Sequence, residues 1–288
     1  MHIGHVATRV PDVEASAEHA SGALGLIQTE GTDTAGYLTA NAKHHELQLL
    51  QGEGGGLDHI GLEVADSGEL EEVKERALNA GGKLVSEGPE EPGLKEAFRV
   101  AGPSGVVFEV YTPMDVAKLE IANVIGRHAR KLGHVTLLSS EGEALVRFIV
   151  DGFGFRVSDT QTFLTWMRCD IDHHGLAVGS VEVDAMHHYA FELNGWDGMR
   201  MYLDDLAVDG KTIVYGPGRH GPGFNLFTYL PEPSGALIEG YAGMLKIEDE
   251  ANYEPIDWDS VPGALNLWGP DMPANFLEFG VPILGPSS

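Results

Sequence analysis

The sequence predicts an α+β protein built from two similar modules in tandem, and three observations support this fold class. Blocks of sequence recur in the same order: His5 in IGHVATRV and His134 in LGHVTLLS lie 129 residues apart, as do His59 and His188. Runs with the alternation typical of strands are interleaved with runs that have the helical spacing of apolar residues. The length and composition, 288 residues with 43% apolar side chains, suit two packed domains.

Each module is predicted to contain the same elements in the same order. A first strand (GHVATRV, GHVTLLS) precedes a helix (VEASAEHASGAL, EGEALVRFIVDG) and two short strands (GYLTANA and HELQLL, FLTWMR and GLAVGS). A central strand (HIGLEV, HYAFEL) leads to a second helix (SGELEEVKERALNAG, DGMRMYLDDLAVDG). A Pro-Ser-Gly turn then precedes a last strand that carries Glu109 or Glu239. The order βαβββ occurs twice per module if the second helix starts a new unit, and we expect open, mostly antiparallel sheets.

The repeat also predicts the domain boundaries. The modules are expected at residues 1–115 and 132–245, with a connecting segment around 112–131. The remaining residues, 246–288, form a tail that is rich in Pro and Trp, carries eight acidic residues and one Lys, and has no clear period. With Trp258, Leu267 and Trp268, this tail could cover the mouth of the second module.

Charge and cysteine usage exclude several classes of function. The formal net charge is −26 and no short stretch gathers several Lys or Arg, so neither nucleic acid nor an anionic membrane surface is expected as a partner. No apolar run approaches the ~20 residues of a membrane span. The single cysteine, Cys169, cannot form an internal disulfide, and the first residues lack the layout of a signal peptide. We therefore expect a soluble, cytoplasmic protein.

Three residues of the second module could bind a metal ion. His134, His188 and Glu239 lie on its first, central and last predicted strands. Two imidazoles and one carboxylate can occupy one face of the ion and leave the other positions open for substrate and dioxygen, as in non-haem Fe(II) oxygenases. Strand alternation turns His187 and His188 to opposite faces, and the repeat favours His188 because it matches His59. Histidines on strands are often structural, so spacing alone leaves both interpretations open.

Several motifs together resemble the type I extradiol ring-cleavage dioxygenases, two-module enzymes of the vicinal oxygen chelate superfamily. The motifs are LGHV, DHHGLA, MHHYAF, GPGRHGPG, Tyr229 and PSGALIEGY, and the similarity spans nearly the whole chain. The resemblance implies two tandem vicinal-oxygen-chelate modules, of which the second is catalytic and holds Fe(II), or Mn(II), through the three residues named above. It further implies that His174 is the acid–base residue, that His220 contacts bound substrate or oxygen, and that Tyr229 hydrogen-bonds a catecholate oxygen.

The activity implied by the resemblance is cleavage of a catechol-type ring next to the diol by O2, giving a yellow semialdehyde. The expected partners are a small catecholic substrate and O2, and the enzyme is expected to be a homo-oligomer. Two alternatives on the same fold stay open. A metal-dependent, glyoxalase-like isomerase or lyase would usually draw its ligands from two modules, whereas a metal-free ligand-sequestering protein would generally lack the His-His-Glu set.

The first module retains part of the same pattern. The retained residues are His5, His45, His59 and Glu109, whereas Arg99 stands where the second module has Tyr229. This module could hold a metal ion without being able to catalyse. Alternatively, these are inherited residues that merely fill positions on strands.

Overall fold

The computed structural model describes residues 1–117 and 129–286, in which each module consists of two βαβββ units. The first module contains β1 (His2–Val10), α1 (Val13–Leu24), β2 (Ile27–Thr32), β3 (Ala35–Thr39), β4 (Leu47–Gln51), β5 (Gly56–Glu63), α2 (Ser67–Asn79), β6 (Lys83–Glu87), β7 (Ala97–Ala101) and β8 (Val107–Tyr111). The second contains β9 (Ala129–Ser139), α3 (Gly142–Phe153), β10 (Arg156–Gln161), β11 (Leu164–Arg168), β12 (Leu176–Ser180), β13 (Ala185–Leu193), α4 (Gly195–Val208), β14 (Tyr215–Arg219), β15 (Leu226–Pro231) and β16 (Leu237–Ala242). The tail adds β17 (Ile256–Asp257) and β18 (Val281–Pro282).

Each module folds its strands into one mixed sheet. In the first, the order is β2-β3-β4-β1-β5-β8-β7-β6, with parallel pairing only in β1–β4 and β5–β8 among its described strands. The second sheet repeats this order, extended at one edge by β17. The predicted α+β fold of paired βαβββ units is therefore confirmed, and the sheets are mostly antiparallel. Sequence reasoning missed β2, β6, β7, β10, β14 and β15. The outer strands, such as Tyr-Gly-Pro-Gly-Arg in β14, lack an apolar alternation, whereas β7 and β15 lie inside their sheets and are largely buried.

The helices begin and end at local signals in the sequence. The Asp12 side chain accepts a hydrogen bond from the Ala15 N–H and so caps α1, which ends at Gly25 with φ of 71°. Asp66 caps α2 in the same way. Within the described parts of the chain, no helix is long and apolar enough to cross a membrane.

The two modules share one continuous apolar core rather than two separate ones. Helices α2 and α3 pack against each other, where Gly152 lets α3 approach Ala77 closely. Near the sheets, buried Glu46 of the first module accepts a hydrogen bond from the Leu132 N–H of the second. Most of the predicted connecting segment, residues 118–128, lies outside the described residues.

Candidate metal centre

The side chains of His134, His188 and Glu239 converge at the centre of the second sheet. They extend from β9, β13 and β16, which are neighbouring strands. Glu239 Oε2 lies 3.0 Å from His134 Nε2 and 3.3 Å from His188 Nε2, and all three side chains are buried. Each offers one donor atom within 4.8 Å of the others, so the three can face one metal ion.

The tail helps to set the protonation of His188. His187 Nε2 lies 2.9 Å from the backbone oxygen of Phe276, and His187 Nδ1 lies 2.7 Å from His188 Nδ1. If His187 donates its Nε2 proton to that carbonyl, its Nδ1 accepts from His188 Nδ1–H, and His188 Nε2 presents a lone pair to the centre. The expectation that alternation turns His187 away is therefore wrong, because a register irregularity between Met186 and His188 breaks the alternation.

The electrostatics of the centre suit a cation. Burial alone would raise the pKa of Glu239, but the charge and hydrogen bonds of His134 and His188 hold it well below the usual value. Burial lowers the pKa of His188 to about 4. A carboxylate that ionises easily and an imidazole that gives up its proton easily are what a metal ion requires of its ligands. The second oxygen of Glu239, Oε1, accepts a hydrogen bond from Asn225 Nδ2 at 3.3 Å, which orients the carboxylate.

His174 lies beside this centre at the end of a chain of contacts. Its ring is 4.4 Å from that of His134, and burial, followed by the charge of His134, lowers its pKa well below the usual value. His174 Nδ1 is 3.0 Å from His173 Nδ1, and His173 Nε2 is 3.0 Å from Asp159 Oδ2. His173 precedes β12 and is not subject to strand alternation, so its ring can lie against that of His174. His174 is thus a neutral imidazole that contacts His173, which in turn contacts the buried carboxylate of Asp159.

His220 and Tyr229 lie on another side of the centre. His220 Nδ1–H donates to the backbone oxygen of Leu265 at 2.7 Å, and Tyr229 Oη–H donates to His220 Nε2 at 3.0 Å. Burial and the charge of Glu239 raise the pKa of Tyr229 well above the usual value, so its hydroxyl stays protonated. The geometry brings all six residues predicted from the sequence into one site.

A cavity with about 70 Å³ open to the centre of a water molecule borders the metal centre. The six predicted residues line it, and most of its other walls are apolar: Leu138, Phe163, Leu164, Trp166, Ala177, Pro222, Leu265, Met272, Phe276 and Leu277. The last four belong to the tail, which covers the cavity with these residues rather than with Trp258, Leu267 and Trp268. A flat apolar molecule could lie here with its polar edge toward the two histidines and Glu239.

Sequence reasoning missed several residues that support the site. Asn225 has no counterpart in the repeat and carried no signal. Asp159 could have been found, because Glu30 precedes it by 129 residues and also contacts a histidine, His44. The first module contains a second cluster of possible metal ligands, which adds Glu91 to the expected His5, His59 and Glu109.

Comparisons with known proteins agree with this architecture. The family model described as Glyoxalase/Bleomycin resistance protein/Dioxygenase superfamily matches twice, at residues 2–110 and 131–239. The chain is 27% identical to a manganese-dependent 2,3-dihydroxybiphenyl 1,2-dioxygenase of Geobacillus genomosp. 3, over 93% of this chain and 94% of the relative. It is also 27% identical to an iron-dependent extradiol dioxygenase of Rhodococcus jostii (strain RHA1), over 93% and 96%.

A solved structure is similar over nearly the same extent. The Mn(II)-bound glyoxalase from Novosphingobium aromaticivorans superimposes with a TM-score of 0.85 at 27% identity, over 93% of this chain and 90% of that one. Together, the two family-model matches extend over most of both modules and include every predicted ligand. The chain therefore belongs to the Glyoxalase/Bleomycin resistance protein/Dioxygenase superfamily, with one copy of the family domain in each module.

Proposed function

We propose that this protein is an extradiol dioxygenase that binds Fe(II), or Mn(II), through His134, His188 and Glu239 and cleaves a catechol-type ring next to its diol. The observation that carries the proposal is that this His-His-Glu set borders an apolar cavity beside three further polar side chains, those of His174, His220 and Tyr229. The names of the iron-dependent and manganese-dependent relatives support the same reaction and the same two metals. All six residues lie within 132–245, so the first module, 1–115, is non-catalytic in this proposal.

The bound metal ion would lower the pKa of a coordinated phenol and hold substrate and dioxygen side by side. His174, neutral near pH 7, would take a proton from the diol and return it as the ring opens. Its contact with His173 leaves Nε2 as the atom that exchanges this proton. Tyr229 would turn its O–H from His220 to an oxygen atom of the substrate, and His220, whose Nδ1–H is held by Leu265, would contact the substrate or O2 through Nε2. Both atoms of O2 end in the product, so no external reductant is needed.

The cavity also indicates the kind of catechol. Among the described residues that line it none is Lys or Arg, and the apolar part of the lining includes residues of β11 and the tail. A charged substituent on the ring would lose its hydration there without gaining a partner. We therefore propose a 3- or 4-substituted catechol with an apolar substituent.

One observation favours a second candidate, a glyoxalase-like isomerase or lyase. The Novosphingobium protein with the TM-score of 0.85 is a Mn(II)-bound glyoxalase. Against this candidate, the second module provides all three ligand atoms of the proposed centre by itself, whereas such an isomerase would usually share its ligands between modules. An isomerase needs no oxygen, so the two reactions can be separated.

The test reconstitutes the full-length protein with Fe(II), or with Mn(II), under anaerobic conditions and mixes it with a panel of 3- and 4-substituted catechols. We expect no product until O2 is admitted, followed by the absorbance of a yellow semialdehyde and uptake of one O2 per ring cleaved. The Glu90→Gln protein, altered on an exposed loop of the first module, should behave like the wild type. Absence of yellow product across the panel, with one metal ion bound in the second module, would refute the proposal, and oxygen-independent turnover of a hemithioacetal would favour the isomerase.

A further inference from the structure

The first module contains a buried cluster that the proposed reaction does not use. His5 on β1, His59 on β5 and Glu109 on β8 lie on neighbouring strands and are fully buried. Glu91, from the loop between β6 and β7, completes the group and is 8% exposed. Their donor atoms all lie within 4.8 Å of one another.

The distances between these atoms suit one small cation. His5 Nε2 lies 2.9 Å from His59 Nε2, 3.4 Å from Glu109 Oε2 and 3.6 Å from Glu91 Oε2. His59 Nε2 lies 3.7 Å from Glu109 Oε2 and 2.8 Å from Glu91 Oε1. A tetrahedral ion with bonds of about 2.0–2.1 Å places neighbouring donor atoms about 3.3 Å apart, which is the middle of this range.

The surrounding residues present these atoms toward a common point. His59 Nδ1–H donates to Asp58 Oδ1 at 2.8 Å, so a neutral His59 would present the Nε2 lone pair to a metal ion in the cluster. Arg99 binds the Oε1 atoms of both Glu91 and Glu109. The Oε2 atom of Glu109 is left without any hydrogen-bond partner although it is buried. A buried carboxylate oxygen without a partner is costly, and a metal ion would satisfy it.

We propose that the first module binds a second divalent metal ion, zinc or a similar borderline ion, through His5, His59, Glu91 and Glu109. Four protein ligands in a buried group leave no open position for a substrate, which is the arrangement of structural rather than catalytic metal sites. The ion would tie the Glu91 loop to three strands of the sheet and so stabilise the module. This site is independent of the reaction proposed for the second module.

A metal-free account of the same cluster makes a different prediction. In that account His59 is protonated and donates Nε2–H to Glu91 Oε1 at 2.8 Å, and His59 and Arg99 together compensate the two carboxylates. The cluster would then bind no ion, and neutralising Glu91 would change only the stability of the fold. Metal content therefore separates the two accounts, whereas stability alone does not.

The experiment uses full-length protein with His188→Ala, which removes a ligand from the second module. Equilibrium dialysis against Zn²⁺ and, separately, Mn²⁺ is followed by elemental analysis, and thermal unfolding is measured with and without the ion. We expect one equivalent of tightly bound ion per chain and a Tm that rises when the ion is added, because binding to the folded state stabilises it. When Glu91→Gln is added, the protein should lose both the bound metal ion and the rise in Tm.

The control is Glu90→Gln in the same background. Glu90 is the neighbouring residue and its carboxylate also lies 3.0 Å from Arg99, but it does not face the histidines, so the ion should be retained. His5→Gln gives a second variant in case Glu91→Gln does not fold. The proposal is overturned if the folded His188→Ala protein binds neither ion with a measurable shift in Tm, or if the equivalent persists in both the Glu91→Gln and His5→Gln proteins.

Discussion

The two modules place a His-His-Glu set at equivalent points of their two sheets, but among the described residues a substrate-sized opening borders the set of the second module, whereas Glu91 and Arg99 pack against that of the first. The difference lies in the residues that face the last strand. In the second module Tyr229 on β15 pairs with Glu239, and its hydroxyl binds His220. In the first module Arg99 on β7 pairs with Glu109 and binds Glu91.

This comparison shows how little must change to separate two roles on one scaffold. Tyr229 and His220 are neutral and border the cavity, so room is left for a ligand beside His134, His188 and Glu239. In the first module Arg99 and Glu91 form an ion pair in the corresponding space, and this pair closes the site. The backbone positions the ligands, whereas the two facing side chains decide whether the site is open or closed.

The largest expected effect separates the central-strand histidines. His188→Ala should abolish ring cleavage, because two remaining protein ligands hold a labile metal ion poorly. His59→Ala, its counterpart 129 residues earlier, should leave ring cleavage intact and reduce metal content by one equivalent. Oxygen uptake with a substituted catechol and elemental analysis measure both. If the His59→Ala protein folds but loses ring cleavage, the first module contributes to catalysis and is not merely structural.

The next effect concerns His174, which precedes β12, and its counterpart His45, which precedes β4. His174→Ala should keep its metal ion and lower turnover by about 10²–10⁴, the usual worth of a positioned proton carrier. The loss should be smaller for a nitrocatechol, which binds already ionised and needs less help from a base. His45→Ala is the matched control and should not alter turnover. Equal fractional losses on catechol and 4-nitrocatechol, or loss of the metal ion, would contradict the acid–base role of His174.

A smaller effect is expected from substituting Asp159, which contacts His173, or Glu30, which contacts His44. Asp159 is 1% exposed and also accepts hydrogen bonds from Tyr253, Trp258 and the Ile256 N–H of the tail, whereas the Glu30 side chain is 49% exposed. Asp159→Asn should lower turnover by about 10–100-fold with metal content unchanged, as for other partners that orient a functional histidine. Glu30→Gln should have no effect on turnover. Comparable turnover in the two variants would show that the chain of contacts to His174 is only structural.

Asp159→Asn should also change how the stability of the fold depends on pH. Burial would raise the pKa of Asp159, but contacts with His173 and Trp258 outweigh it and hold the pKa below the usual 3.8. The ionised carboxylate therefore stabilises the fold above pH 3.8, and this contribution is lost as the pH falls through the lower, folded-state pKa. The difference in free energy of unfolding between wild type and Asp159→Asn should be constant near neutral pH and shrink below this value. Denaturant titrations at several pH values would measure it, and a difference that grows on acidification would contradict this sign.

The smallest effect concerns the residues that close or open the two sites. Tyr229→Phe removes one hydrogen bond, worth about 0.5–1.5 kcal/mol, so kcat/KM should fall about tenfold or less. Arg99→Lys should leave kcat/KM unchanged but weaken metal binding by the first module, because lysine cannot bind two carboxylates in Arg99's forked geometry. A lower kcat/KM in the Arg99→Lys protein would indicate that the two modules are coupled.

The sequence by itself determined the repeat and named the candidate ligands, because both depend on recognisable strand patterns that recur at a constant offset. A constant offset pairs His134 with His5 and His188 with His59, and the strand signal around each residue is strong. The roles of His174, His220 and Tyr229 came from family resemblance, since nothing in their spacing distinguishes a catalytic residue from a packed one. The edge strands went unrecognised, because strands half exposed to solvent and rich in Gly, Pro and charge carry no alternation.

Only the tertiary structure decided which groups support each ligand and which module is closed. Phe276 reaches His187 across 89 residues of chain, and Glu91 reaches His59 from a loop. The register irregularity in β13 that brings His187 to the site is likewise invisible in the sequence. The physical reason is that these contacts join residues far apart along the chain through loops and the tail, where no periodic pattern relates position in the sequence to direction in space.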